Sequence, residues 1–154
     1  MATIQSRLDD LGIVLPEPVT PLAAYVGFVR HGDLVFVSGQ VPVEGGEPIM
    51  TGLLGADVSL EDGQRCARLC MVNILAQIRE ACEGDLERIE RCVRLGGFVA
   101  ATPDFTQHPQ VINGASEFAG EVLGDRGAHA RAAVGVASLP RGVPVEIEAL
   151  FAIR

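Results

Sequence analysis

RAAVGVASLPRGVPVEIEALFAI, residues 131–153, is the most legible part of the chain. Two β-patterned runs, Arg131–Ser138 and Val145–Ile153, flank the loop LPRGVP. In the second run Val145, Ile147, Ala149, Phe151 and Ile153 share one side of a two-residue period. Glu146, Glu148, Leu150, Ala152 and Arg154 share the other. In the first run Arg131, Ala133, Gly135 and Ala137 alternate with Ala132, Val134 and Val136. One side of a sheet is therefore aimed at a core, while the other mixes carboxylates with Leu150 and Ala152. We read Ala133, Gly135 and Ala137 onto that second, outer side, and expect another subunit's sheet to cover it. Paired as a simple hairpin, the two runs set Arg131 roughly 20 Å from Glu146, at ~3.3 Å per residue. Either the two residues meet across a subunit boundary, or the strands are not hairpin partners.

Upstream, the period changes. Ser59-Leu60-Glu61-Asp62 resembles a capping box, and Cys66, Leu69, Cys70, Asn73, Ile74, Gln77, Ile78 and Ala81 keep the spacing of one helical face. Gly84 is a plausible stop. Residues 88–100 read as a strand with a kink or bulge at Gly96-Gly97. Pro109 suits a first helical turn, Val111, Ala115, Phe118 and Val122 form a stripe behind it, and Gly124 ends that helix. Ala24–Arg30 and Leu34–Ser38, around His31-Gly32-Asp33, read as a β-hairpin. Gly39–Gly55 reads as loop with room for one short edge strand. Residues 2–11 suggest a short helix, followed by the Pro-rich LPEPVTP of residues 15–21, which cannot continue it. The expected organisation is an N-terminal helix and arm over residues 1–21 and one domain over 22–154. Its order is β-β-(β)-α-β-α-β-β, an α+β mixed sheet with two helices packed on one face.

Composition removes several function classes. The chain has 154 residues, 48% hydrophobic and 21% charged, which suits one self-sufficient core and excludes a disordered tail. Its net charge of -8 repels phosphate backbones, and a single Tyr with no Trp offers few stacking platforms. Cys66, Cys70, Cys82 and Cys92 contain no CxxC pair, so they read as reduced core cysteines of a cytosolic protein. His31, His108 and His129 are scattered and read as ordinary surface residues rather than a metal site. Ser38 lacks a G-x-S-x-G setting, and Gly45-Gly46 lacks the lysine and helix of a phosphate loop. The segment MATIQSRLDDLG has no apolar signal region and no run approaches a membrane span, so a soluble, cytoplasmic protein is expected.

Four local patterns together resemble the YjgF/RidA family of enamine/imine deaminases, once labelled L-PSP endoribonucleases. They are Tyr25-Val26, the block LVFVSGQVPV (Leu34–Val43), Asn113 in the second long helix, and the tail Arg131–Ala149. The resemblance implies a chorismate-mutase-like α+β fold, a homotrimer, and clefts between adjacent subunits that take small carboxylic acids. It implies no metal or organic cofactor, and in the catalytic branch hydrolysis of 2-aminoacrylate-type enamines or imines to 2-keto acids and ammonia. Carried over by position, Arg131 holds the substrate carboxylate, in keeping with the paired donors of a guanidinium. Glu146 positions or activates water, with Glu148 as its competitor on the same strand face. Tyr25, Ser38 and Gly39 line the cleft, and Asn113 joins them from a neighbouring chain. Ala133 stands where the family often has Cys, retaining a backbone N–H but no thiol. Ala23-Ala24 replaces the family's Gly-Pro before the tyrosine. These departures mark a divergent branch.

By themselves the same residues admit plainer roles. Arg131 on a sheet edge suits a surface ion pair, alternating glutamates suit a solvated face, and one Tyr suits core packing. Three functions follow in order of fit: a trimeric deaminase, a non-catalytic small-carboxylate binding or regulatory module, and last an endoribonuclease.

Overall fold

The computed structural model describes residues 1–21 and 23–154. Leu22, where the sequence reading begins its main domain, lies outside the described residues. Chain order is α1 (Ile4–Asp10), β1 (Phe28–His31), β2 (Leu34–Gln40), a small ribbon of β3 (Val43–Glu44) and β4 (Glu47–Pro48), then α2 (Leu60–Ala81) and β5 (Ile89–Ala100). It continues with α3 (His108–Leu123), β6 (Ala130–Val136) and β7 (Val145–Ile153). The expected α+β order is present.

Local chemistry explains the helix ends. The Ser59 hydroxyl accepts from the Asp62 amide and opens α2, with Glu61 and Asp62 in its first turn against the positive end of the helix dipole. Pro109 sits in the first turn of α3, and Gly124 closes it with a φ of 61°. The turn between β1 and β2 is two residues long, with Gly32 at a φ of 63°. β1 begins at Phe28 rather than Ala24, because the Ser38 amide donates to Gly27 O and draws the preceding residues into turns.

The sheet order is β1-β2-β7-β5-β6, antiparallel except for the parallel β5–β6 pair joined through α3. β6 and β7 are thus not hairpin partners, since β5 lies between them. α2 and α3 pack on one side of the sheet, and that is where Val145, Ile147, Phe151 and Ile153 are buried with Leu95, Val99, Ile74 and Phe118. Each such large side chain contributes about 1.5–3 kcal/mol relative to exposure. α1 is part of this body: Ile4 and Leu8 are fully buried and α1 packs against α3. The Pro-rich segment is tied to the end of α2, where Arg79 donates to Leu15 O (3.1 Å) and Pro16 O (2.7 Å) and Gln77 donates to Val19 O (3.0 Å).

Two local expectations are corrected. Gly96 and Gly97 do not kink β5; both pair regularly with β6 and β7, and the register shifts fall instead between Ile89 and Arg91 and between Cys92 and Arg94. The glycines supply clearance, since a Cβ on Gly97 would stand 2.6 Å from Ile112 of α3. The faces of β6 are also reversed from the reading above. Ala133 packs on the core, Gly135 lies under His108 of α3, and Val134 is 48% exposed on the outer side.

Helices α2 and α3 approach so closely that a Cβ on Gly114 would collide with the Gln64 carbonyl oxygen. Gly114→Ala is expected to destabilise the protein by about 2–3 kcal/mol despite alanine's better helix propensity. The urea midpoint should fall with an unchanged slope.

The four cysteines are free and buried. Burial pushes the Cys66 thiol up to about 11 and Cys92 up to about 12, and raises Cys70 and Cys82. They stay protonated and act as small apolar groups. No described helix is long and apolar enough to cross a membrane.

Candidate functional site

Arg131 leaves β6 on the helix side, level with Leu95, and its guanidinium reaches the exposed edge of α3. Nη1 donates to Asn113 Oδ1 (2.8 Å) and to Ser116 Oγ (3.1 Å), while Nη2 donates to Pro109 O (3.3 Å). Those acceptors stand at intervals of four and three residues, one stripe of the helix. Asn113 therefore meets Arg131 within a single chain. Among the described residues no carboxylate pairs with this half-buried cation, and Nε–H with one Nη2–H is uncommitted. A fixed, planar cation with donors to spare has the geometry to receive a carboxylate. Ala133 follows on the same strand face, its small side chain against the core.

The second group of residues is built around an irregularity in β2. Val37 pairs with Ala149 and Gln40 with Ile147, so Ser38-Gly39 carries one extra residue against β7. The bulge presses Gly39 against Glu146, whose carboxylate carbon would lie 2.9 Å from a Cβ there. Only glycine fits. Ser38 Oγ donates to Val26 O (2.6 Å), which anchors the turn carrying Tyr25 beside the sheet. Tyr25 itself is 56% exposed. Gln40 Nε2 donates back to Ser38 O (3.1 Å), locking the bulge from its buried side.

Glu146 is half-buried on the outer face, with no cation in salt-bridge range among the described residues. Burial, and next the Glu148 charge, raise its pKa above the ordinary 4.5. Glu148 is more exposed and lies 3.7 Å from Arg94. The two glutamates are thus distinguished by environment, and the half-buried Glu146 is the one held protonated above the ordinary carboxylate range.

One chain does not bring Arg131 and Glu146 together. Arg131 is level with Leu95 and, across β5, with Ala149; Glu146 lies three residues further along β7. Two strand spacings and three residues place them about 14 Å apart, and on opposite faces of the sheet. Ser38, Gly39, Tyr25 and Glu146 form one group, and Arg131, Asn113 and Ala133 another.

Three participants escaped the sequence reading: the Pro109 carbonyl, Ser116 and His129. Ser116 Oγ lies 2.9 Å from His129 Nε2, and His129 Nδ1 lies 2.6 Å from Gly127 O. His129 is half-buried in this contact, and His108 packs edge-on against Phe105 with ring centroids 5.3 Å apart, so neither is the plain surface residue expected. Asn113 and Ser116 share one side of α3 and are visible in the sequence as polar positions; their meeting with Arg131, and that of the Pro109 carbonyl, is not.

A mixed sheet backed by two long helices on one face, with an arginine held at its edge strand, describes a chorismate-mutase-like architecture. The chain belongs to the family described as "YjgF/chorismate mutase-like, putative endoribonuclease", whose model matches residues 5–149. Protein TCP17 of Trypanosoma cruzi is 43% identical over 98% of this chain and 94% of its own length. Among solved structures, Atu1372 of Agrobacterium tumefaciens, a protein of unknown function, is 50% identical with a TM-score of 0.92, covering 98% of this chain and 92% of that one. TdcF of E. coli with bound serine is 29% identical with a TM-score of 0.64, over 92% of this chain and 95% of its own.

Proposed function

We propose that the protein is a hydrolytic enamine/imine deaminase that binds 2-imino acids in clefts between the subunits of a homotrimer. The observation that carries this reading is the Arg131 guanidinium, fixed by three acceptors on α3, unpaired by any described carboxylate and still holding donors for a ligand. The serine bound to TdcF presents the same kind of carboxylate. An assembly is favoured by the outer sheet face, where Val29, Leu34, Phe36 and Val134 are exposed beside Leu150 and Ala152. Because Arg131 and Glu146 lie on opposite faces, a ligand touching both must sit between two chains.

In this scheme Arg131 holds the carboxylate and Asn113 orients it. Glu146 of an adjoining chain takes a proton from water as the oxygen adds to C2 of the imine. The same carboxyl then delivers that proton to the nitrogen, giving an amino alcohol at C2. It next moves the hydroxyl proton to the nitrogen, so that the C2=O double bond forms as the C2–N bond breaks and ammonia leaves. An imino acid and water thus become a 2-keto acid and ammonia. Reactive imines need orientation and one proton shuttle more than strong activation.

The protein is expected to release keto acid and ammonia from enzymatically generated enamines faster than buffer does, and to sediment as a trimer. A rate equal to buffer across several side chains removes the deaminase. In that case a rise in Tm with added 2-keto acid would leave the binding module. Salt-sensitive RNA binding would instead restore the nuclease reading.

A further inference from the structure

The contact between His129 and Ser116 adjoins Arg131 Nη1, the nitrogen whose two hydrogens are both engaged by α3, and the scheme above gives it no role. Its directions follow from elementary hydrogen-bond chemistry. Gly127 O can only accept, so the His129 Nδ1 at 2.6 Å carries a proton. In the uncharged ring Nε2 is then bare and can only accept, so the Ser116 hydroxyl hydrogen points to it across 2.9 Å. That leaves the lone pairs of Ser116 Oγ to receive Arg131 Nη1 at 3.1 Å. Without such a partner a serine hydroxyl on a helix turns freely or donates to the carbonyl one turn back. With it, Ser116 is obliged to act as an acceptor.

We propose that Ser116 and His129 are positioning residues for Arg131, a relay that fixes the hydroxyl's polarity and thereby aims the guanidinium. Both hydrogens of Nη1 are committed, one to Asn113 and one to Ser116, and Nη2 commits one to Pro109. The donors left for a carboxylate are Nε–H and the second Nη2–H. The relay therefore selects which edge of the guanidinium meets the ligand. This rests on the reading that Arg131 holds a carboxylate, and the test separates the two.

Pyruvate binding to the full-length protein, measured by calorimetry, is the readout. Ser116→Ala is expected to weaken Kd about tenfold, the effect of one lost hydrogen bond to a charged group. Ser116→Thr, which keeps the hydroxyl, should bind within about twofold of the parent. His129→Phe should weaken binding by a similar factor, and the double variant Ser116→Ala/His129→Phe should be no weaker than Ser116→Ala alone, since His129 acts only through Ser116. Nitrogen-15 spectra of the uncharged His129 ring should show the Nδ1–H tautomer in the unliganded protein. The Tm of each variant confirms that it is folded. If Arg131→Ala abolishes binding while Ser116→Ala and His129→Phe bind like the parent, or if the ring is the Nε2–H tautomer, the relay is wrong and the carboxylate clamp stands. If the parent binds no pyruvate, or Arg131→Ala binds as well as the parent, the clamp itself is wrong.

Discussion

Arg131→Ala is expected to lower kcat/KM for imine hydrolysis, and affinity for 2-keto acids, by about a hundredfold or more, the worth of a two-pronged charge-assisted pair in a partly desolvated place. The loss is larger than that of the charge alone. Nε–H and Nη2–H form a planar fork matching two carboxylate oxygens, and the other three donors are already engaged by Asn113, Ser116 and Pro109. Arg131→Lys separates the two contributions. An ammonium keeps the charge, but its three donors cannot satisfy the α3 acceptors and a carboxylate together, so most of the loss should persist. Stability should change little, because Arg131 stands on the edge strand β6 and its α3 acceptors sit where water can replace it. Steady-state kinetics with Tm as a folding control checks both variants. An unchanged kcat/KM in Arg131→Ala would remove the carboxylate clamp and the deaminase with it.

What could be read from the chain beforehand was whatever is written locally. The Ser59 cap, the Pro109 and Gly124 boundaries and the Gly32 turn are short-range chemistry, and the periods of α2 and β7 are strong because one side of each is apolar. β6 is different. Arg131, Ala133 and Gly135 on one side are more polar than Ala132, Val134 and Val136 on the other, yet it is the first set that faces the helices, so alternation alone points the wrong side inward. The parallel pairing of β6 with β5 is set by the path of α3 between them and not by either strand's composition. Gly96-Gly97 reads as a kink or bulge in β5 because glycine weakens strands, whereas Gly97 makes room for Ile112 of α3, a neighbour supplied only by the tertiary fold. The site divides in the same way. Its candidate residues stand out by type and position, but that Arg131 and Glu146 occupy opposite faces follows from a five-stranded order that local pattern does not encode. Ser116 carries no motif and His129 reads as a surface residue, because their meaning lies in the order of donors and acceptors running back from Arg131.

Glu146→Gln should separate catalysis from stability in opposite directions. The amide preserves shape beside Gly39 but cannot take a proton from water, so kcat is expected to fall by about 10²–10⁴-fold, the usual contribution of a positioned general base, while pyruvate affinity at Arg131 is retained. In the parent, activity should rise with pH along a limb displaced above the ordinary glutamate value of 4.5, since burial and the Glu148 charge hold the proton on Glu146 longer. The variant should lack that limb. A carboxyl whose folded-state pKa is raised supports the fold while protonated, and that support is lost as pH rises from the unfolded value through the folded one. Once ionised, Glu146 is therefore a burden, carried beside Glu148 with no cation in reach among the described residues. Glu146→Gln should accordingly have the higher Tm at pH 7, and the difference should shrink as pH falls below the ordinary glutamate range. A variant that is both inactive and less stable at pH 7 would show that Glu146 is held by partners in the assembled protein, and would assign it to the interface and not to the chemistry.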